Sequence, residues 1–152
     1  SEFAKRNNAV ASTEVKSFEH LICTEQLSRR LGFKVGEELI RVVRVRSLNG
    51  SARQVDHGYF LASIAKGLTP EIAADSIYGY LEHKRGVKVM ASRRTVSVEL
   101  ANDEDCSYLD LGKYNCVAVM ESQSYTSDGI LFEVTHARTH PEIFHYRVNS
   151  KR

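Results

Sequence analysis

The sequence predicts an α+β fold: a mainly antiparallel sheet with helices packed on one side. Two hairpin signals support it, because Asn49-Gly50 and Ser127-Asp128-Gly129 each stand between strand-like segments. Short helical segments occur between these hairpins, an arrangement typical of the α+β class. With 152 residues and 42% apolar side chains, the chain can bury one core without disulfides or metals.

The first half of the chain is predicted to contain three strands and one helix. Residues 1–8 are polar and begin with Ser1-Glu2-Phe3, so we expect a vector-derived or disordered lead, with the domain spanning residues 9–152. The predicted elements are a strand over 9–20, a helix over Glu25–Leu31 between Thr24 and Gly32, and strands over Leu39–Leu48 and Arg53–Tyr59.

The second half is predicted to alternate short helices with strands, without an internal repeat or linker. Its helices are one over Leu68–Ala74, one that Asp75 or Ser76 caps and that ends at Gly86, and one from Asn102 to Gly112. Its strands are Val87–Leu100, two near Cys116–Thr126 and Ile130–Thr139, and a last one carrying Phe144, Tyr146 and Val148.

Charge and composition exclude several functions. The 21 basic and 19 acidic residues leave a net charge of +2, too little for an autonomous nucleic-acid binder. No apolar run reaches the ~20 residues of a membrane span. Three cysteines without short spacing, and no signal peptide, indicate a cytoplasmic protein.

The sequence favours neither a metal site nor a cofactor. On one strand His136 and His140 would stand about 13 Å apart, too far to share one ion. We find no nucleophile elbow and no glycine-rich phosphate loop, and Asp103 and Asp105 are interpreted as helix-start charges. The sequence therefore predicts no catalytic residues, no metal and no cofactor.

Two arginines on one predicted strand are the most informative feature. Arg44 and Arg46 point to the same face, roughly 7 Å apart, among apolar neighbours. Two guanidinium groups on such a face repel each other and resist desolvation, and a bound phosphate would relieve both costs. The alternatives are an exposed edge strand with solvated arginines, or pairing with Asp56 across the hairpin.

Other polar residues are candidates for the same site. Ser76 begins a helix, where a hydroxyl beside free N–H groups can bind an anion or simply cap the helix. Arg93 and Glu133 lie on later strands, where each could hydrogen-bond a sugar hydroxyl or remain a surface charge.

The ordered landmarks resemble the effector-binding (UTRA) domain of GntR-type bacterial repressors of the HutC subfamily, over roughly residues 10–149. They are Arg44-Val-Arg46, Asn49-Gly50, Tyr59-Phe60, Ser76-Ile77-Tyr78, Val96 to Glu99, Asp103-Glu104-Asp105, Leu109-Asp-Leu111 and Phe132-Glu133-Val134-Thr135. Within the family, Asp56-His-Gly-Tyr59-Phe60 and Leu68-Thr-Pro-Glu71 are similar to the repressors of trehalose operons.

The resemblance implies a chorismate-lyase-like fold without lyase activity. It also implies an upstream winged helix-turn-helix domain, absent from this chain, through which a homodimer would bind operator DNA. The effector would be a phosphorylated sugar, with trehalose 6-phosphate as the first choice.

Family roles then transfer to particular residues. Arg44, Arg46 and Ser76 would surround the ligand. Asp56 and Glu133 match the family's acidic positions, and Arg93 and Arg138 would face the same cavity.

Two other functions remain open at this point. One is a lyase of the same fold acting on a carboxylated substrate, in which the arginines would hold carboxylates and an acid or base would be required. The other is a dimerisation module without a ligand.

Overall fold

The computed structural model describes residues 10–151, and within them six strands form one antiparallel sheet in the order β1-β2-β3-β6-β5-β4. The strands are β1 (Ala11–Ile22), β2 (Glu38–Leu48), β3 (Ser51–Leu61), β4 (Ala91–Leu100), β5 (Cys116–Tyr125) and β6 (Leu131–Thr139). Strands β1 to β3 and β4 to β6 thus form two three-stranded meanders joined where β3 pairs with β6.

The helical segments are short, and all of those described except the π-helical turn begin with a side-chain cap. They are α1 (Glu25–Leu31), α2 (Pro70–Asp75), α3 (Ile77–Gly79) with a π-helical turn over Tyr80–Lys84, α4 (Asp103–Tyr108) and a 3₁₀ turn over Pro141–Ile143. The Thr24 side chain accepts a hydrogen bond from the Leu27 N–H at the start of α1, and Gly32 ends α1 with a φ of 99°. Both ends of α1 are where the sequence predicts them.

The hairpin between β2 and β3 determines which residues of these two strands lie opposite each other. Asn49 and Gly50 have φ values of 50° and 81°, the left-handed pair that a tight two-residue hairpin requires. The register then shifts by one residue between Arg46 and Ser47, so that Arg44 pairs directly with Asp56 on β3 instead of with Val55.

The two faces of the sheet are both covered. We call the face of β2 that carries Ile40 and Val42 the front face, and there α2, α3 and the following turn contribute Ala73, Ile77 and Leu81 to a shared cluster. The opposite face we call the back face. On it Leu31 of α1 packs in one cluster with Leu39, Tyr59 and Val134, and Tyr108 of α4 packs against a second cluster that includes Val43 and Val45.

The α+β class and the antiparallel sheet are confirmed, whereas the prediction that helices pack on one side is wrong. The physical reason is in β2, where residues 39, 40, 42, 43 and 45 are all apolar and buried. A strand with apolar side chains on both faces must be covered on both.

Two element predictions are also wrong. Residues 144–150 form no strand: the chain leaves β6, which already has β3 and β5 as neighbours. Helix α4 ends at Tyr108 rather than at Gly112, which has a φ of 60° in the following turn. The predicted lead over residues 1–8 lies outside the described residues. In residues 10–151, no helix combines the length and apolarity needed to cross a membrane.

Candidate functional site

A cavity of about 710 Å³ opens on the front face between α3, the sheet and the extended C-terminal segment. This volume is within the ~300–1,000 Å³ of ordinary ligand sites. The polar side chains of its wall are Arg44, Arg46, Gln54, Asp56, Tyr78, Arg94, Ser122, Ser124, Glu133, Thr135, His145, Tyr146 and Arg147.

Two arginines of β2 share one carboxylate at the cavity wall. Arg44 Nη2 lies 3.2 Å from Asp56 Oδ2, and Arg46 Nη1 lies 3.9 Å from the same oxygen. Arg44 also donates to the Ala73 carbonyl oxygen at 3.3 Å, which ties it to α2. Gln54 donates to Asp56 Oδ1 at 2.5 Å. Pairing with Asp56, one of the alternatives open from the sequence, is therefore present.

The sharing has an electrostatic consequence. Burial, together with the charge of Arg44, lowers the pKa of Arg46 and outweighs the opposing effect of Asp56. A guanidinium group that is buried beside a second positive charge is stabilised more by a bound anion than a solvated arginine is.

Glu133 is the second carboxyl group of the cavity, and it is only 1% exposed. The Tyr78 hydroxyl donates to Glu133 Oε1 at 3.0 Å, and Ser124 Oγ lies 3.4 Å from the same atom. Burial raises the pKa of Glu133, against these hydrogen bonds and the charge of Arg44. Burial and the neighbouring Glu133 raise the pKa of Tyr78 to about 12.

The cavity wall therefore carries more positive than negative charge. Its lining contains four arginines, Arg44, Arg46, Arg94 and Arg147, against two carboxyl groups, Asp56 and Glu133, and burial raises the pKa of Glu133. The arrangement can bind a multiply charged anion at one end and hydrogen-bond neutral hydroxyl groups near Glu133.

Four predicted residues meet at this cavity: Arg44, Arg46, Asp56 and Glu133. Ser76 is exposed and does not line it; its hydroxyl accepts a hydrogen bond from the Gly79 N–H at 3.0 Å, the capping alternative open from the sequence.

Arg93 and Arg138 do not face the cavity. Arg93 pairs with Gln123 and lies on the back face, whereas its neighbour Arg94 pairs with Ser122 and lines the cavity. The expectation that Arg93 and Arg138 face the cavity is wrong, because side chains alternate between the faces of a strand.

Arg138 belongs to an ion-pair network on the back face. Its Nε and Nη2 donate to Asp105 at 2.9–3.1 Å, and its Nη1 donates to Glu99 at 3.0 Å. Asp105 is fully buried and also closes a capping box with Asn102 at the start of α4. These hydrogen bonds raise the pKa of Arg138, chiefly through Asp105. Asp105 is thus a structural partner as well as a helix-start charge.

Sequence reasoning missed Tyr78, Arg94, Ser124 and Arg147. Tyr78 follows directly on Ser76 and Ile77, so a hydroxyl-bearing ring in that helix was an available signal. Arg94 differs from Arg93 only in strand parity, which the sequence of an exposed strand does not reveal.

The class of protein follows from comparison with known families. The UTRA domain model matches residues 6–145, so the chain belongs to the UTRA domain family. This is the type of effector-binding domain found in GntR-type transcriptional regulators, as the fold also indicates.

Among individual proteins, the chain is similar to a bacterial transcriptional regulator. The HTH-type transcriptional regulator TreR of Bacillus subtilis is 27% identical over 95% of this chain and 61% of its own length. This chain therefore spans less than two thirds of that regulator.

Two solved structures share the fold. The effector-binding domain of the B. subtilis trehalose repressor superposes with a TM-score of 0.85 at 27% identity, covering 93% of this chain and 98% of that one. PhnF of Mycobacterium smegmatis gives 0.85 at 17% identity, over 97% and 66% of the respective chains, and shows the fold alone.

Proposed function

We propose that this domain senses a phosphorylated sugar and forms part of a repressor that releases operator DNA when the effector binds. The observation that carries the proposal is the excess of arginines over carboxyl groups at the cavity wall, Arg44, Arg46, Arg94 and Arg147 against Asp56 and Glu133. Such an excess favours a dianion over a neutral sugar, since each charge-assisted hydrogen bond to phosphate adds about 1.5–3 kcal/mol.

The phosphate is assigned to Arg44, Arg46 and Arg94. In this assignment it competes with Asp56 for the two β2 arginines. The sugar is directed to Glu133 and Tyr78, where a carboxyl group can accept hydrogen bonds from sugar hydroxyls and a phenol hydroxyl can both donate and accept them.

Trehalose 6-phosphate is the first candidate effector. It is supported by the trehalose repressor among the relatives at 27% identity. Relief of repression requires the ligand to bind two states of a homodimeric regulator with different affinities. We infer that the domain senses the sugar and does not convert it.

Isothermal titration calorimetry tests the phosphate assignment. We expect trehalose 6-phosphate to bind and free trehalose to bind at least about tenfold more weakly. Arg94→Ala should weaken binding, whereas the matched control Arg93→Ala, one residue along on the opposite face, should not. Equal affinity for the two sugars would contradict the phosphate site.

A second sugar phosphate tests whether the site is specific for a disaccharide, and long incubation tests whether the domain converts its ligand. Glucose 6-phosphate that binds as tightly as trehalose 6-phosphate would reject the disaccharide while retaining the phosphate site. Recovery of intact ligand after long incubation is expected; conversion of the ligand, or of chorismate, would favour a lyase.

A further inference from the structure

The segment that follows β6 forms part of the wall of the front-face cavity. Residues 144–150 lie in neither a helix nor a strand, yet His145, Tyr146 and Arg147 line the cavity together with residues of the sheet. Arg147 is one of the four arginines of that wall. Because the segment lies outside the strand ladder, its position depends on how the chain leaves β6.

The chain leaves β6 through one short turn, and His140 begins that turn. The 3₁₀ turn Pro141–Ile143 follows it directly. The Nδ1 atom of His140 accepts a hydrogen bond from the Glu142 N–H at 3.1 Å, and its carbonyl oxygen accepts one from the Ile143 N–H at 3.2 Å. The His140 N–H donates to the Arg53 carbonyl oxygen at 2.8 Å, which ties the turn to β3. His140 is thus the N-cap that sets the direction of the segment.

The cap requires one particular form of the imidazole ring. A ring nitrogen that accepts a hydrogen bond carries no proton, so the single proton of neutral His140 is on Nε2. The ring also forms hydrogen bonds with the backbone of Leu111 and Asp110, and it packs edge-on against Tyr114 at a centroid distance of 5.1 Å. Protonation places a hydrogen on Nδ1, and the ring then has no acceptor for the Glu142 N–H.

The surroundings of His140 disfavour the charged ring. The residue is only 2% exposed, and burial lowers its pKa, with further lowering by Arg53 and an opposing effect of Glu142. Glu142 is itself engaged, because Arg53 Nη1 lies 3.5 Å from its Oε2 and the Tyr114 hydroxyl donates to its Oε1 at 3.2 Å. At this level of the ladder β5 has the uncharged Ala118.

The loop after α4 also packs around the ring, and its charged groups contact other residues. The Asp110 carboxylate accepts a hydrogen bond from the Ala52 N–H at 2.8 Å, and Lys113 Nζ lies 5.6 Å from the centre of the Tyr114 ring. The two charges that act on the His140 ring are therefore those of β3 and of the turn itself.

We propose that neutral His140 is a positioning residue of the effector site and that its protonation loosens one wall of the cavity. With Nδ1 unprotonated, the turn is capped and the segment holds Arg147 beside a bound anion. With the ring protonated, the cap is lost and a buried cation stands near Arg53, so the segment separates from the cavity. Anion affinity then decreases as pH falls. The inference rests on the proposed function only in taking this cavity as the anion site.

Nuclear magnetic resonance of the ligand-free chain tests the proton-dependent cap. Neutral His140 should carry its proton on Nε2, and the Glu142 amide should lose its protection from hydrogen exchange, corrected for the intrinsic rate, as the ring is protonated. His140→Asn is the decisive variant, because an asparagine side chain also caps such turns and does not titrate. It should keep the protection at low pH. Circular dichroism checks that the variant is folded.

Calorimetry with trehalose 6-phosphate tests the link between the cap and the cavity. A phosphate monoester itself gains a proton near pH ~6, so the quantity to compare is the ratio of wild-type to variant affinity at each pH. His140→Asn should match wild type at neutral pH and bind more tightly than wild type at lower pH, by up to about tenfold per pH unit, the limit for one proton. His136→Gln, which removes a histidine of the back face, is the matched control and should follow wild type throughout.

Two further measurements separate the cap from the identity of the effector. On an Arg147→Ala background, His140→Asn should no longer change the pH dependence of binding, because the segment then has no arginine to deliver. Inorganic sulfate, which remains a dianion over this range, repeats the comparison with a probe that needs no sugar.

A neutral His140 ring protonated on Nδ1, or equal loss of Glu142 protection in wild type and His140→Asn, would overturn the cap. Parallel pH profiles of anion binding in these two proteins would disprove its link to the cavity. Sulfate binding with the expected difference, combined with no binding of trehalose 6-phosphate, would reject the proposed effector and support the role of His140.

Discussion

The two faces of the sheet use arginine in opposite ways. On the back face Arg138 contacts both Asp105 and Glu99, and its charge is fully compensated. On the front face Arg44 and Arg46 share Asp56, and Arg94 adds a further positive charge to the same cavity.

The difference separates structural charges from binding charges. A guanidinium whose donors are already directed at carboxylates gains little from an added anion, and removing its partner destabilises the fold. Guanidinium groups in excess over carboxylates beside a cavity gain a great deal. Mutations on the two faces should therefore affect different quantities.

The largest expected effect is on the back face. Asp105→Ala removes the partner of Arg138 and one half of the capping box, so the free energy of unfolding should fall by about 3–5 kcal/mol. Urea denaturation measures it, with Asp103→Ala as the control at an exposed first-turn position. Normal stability of Asp105→Ala would show that the network is dispensable.

On the front face, Arg44→Ala should act on binding. We expect sugar-phosphate affinity to fall roughly 10- to 150-fold, the equivalent of one charge-assisted hydrogen bond. Arg41→Ala is the matched control, because Arg41 lies on the same strand but on the back face, paired with Glu19 at 2.9 Å. If both variants bind equally well, the cavity is not the anion site.

Asp56→Asn should change affinity in the opposite direction. Removing the internal anion that occupies Arg44 and Arg46 should tighten sugar-phosphate binding by up to about tenfold. Calorimetry decides between two roles for this residue. A decrease in affinity would mean that Asp56 contacts the ligand instead of competing with it.

Glu133, on the front face, should make the stability of the folded domain depend on pH. Burial raises the pKa of Glu133 in the folded state above its ordinary value of 4.5, so the folded state still holds a proton at pH values where the unfolded chain has released it. Stability should therefore decrease as pH rises from 4.5 through the folded pKa. Glu133→Gln should remove that decrease in thermal-shift measurements, and an unchanged pH profile would exclude Glu133 as its source.

His136, on the back face, should give a smaller pH dependence of stability with the opposite sign. Burial lowers its pKa, against the attraction of Glu121 and with added repulsion from Arg30 and His57. The unfolded chain then binds the extra proton below pH 6.5, so stability should decrease as pH falls from 6.5. His136→Gln should flatten this part of the profile; persistence of the slope would assign it to another group.

Much of the sheet could be predicted from local signals. Asn49-Gly50 predicts the hairpin and places Asp56 on the strand beside Arg44, but the direct pairing of Arg44 with Asp56 also requires the register shift between Arg46 and Ser47, which the turn does not predict. Arg44 and Arg46 share a face because they are two residues apart, and no tertiary information is needed for that.

The errors concern parity and distant partners. Glu133 and Arg138 are separated by an odd number of residues, so strand alternation alone argues against a shared face. The choice between Arg93 and Arg94 depends on pairing with β5, and the pairing of Arg138 with Asp105 joins residues 33 positions apart. Which of two neighbouring residues faces the cavity, and which distant residue it contacts, depend on how the strands pair in the folded sheet.

The strand order also has a kinetic consequence. Each meander is built from neighbours in sequence, and only the pairing of β3 with β6 joins segments that are far apart along the chain. Loop closure makes such a contact slow to form, so we expect the two meanders to form early and their junction late. Arg44 and Asp56 belong to the first meander, and Arg94 and Glu133 to the second. A ligand that contacts both therefore spans the last-formed junction, and hydrogen exchange across β3 and β6 should slow when the cavity is filled.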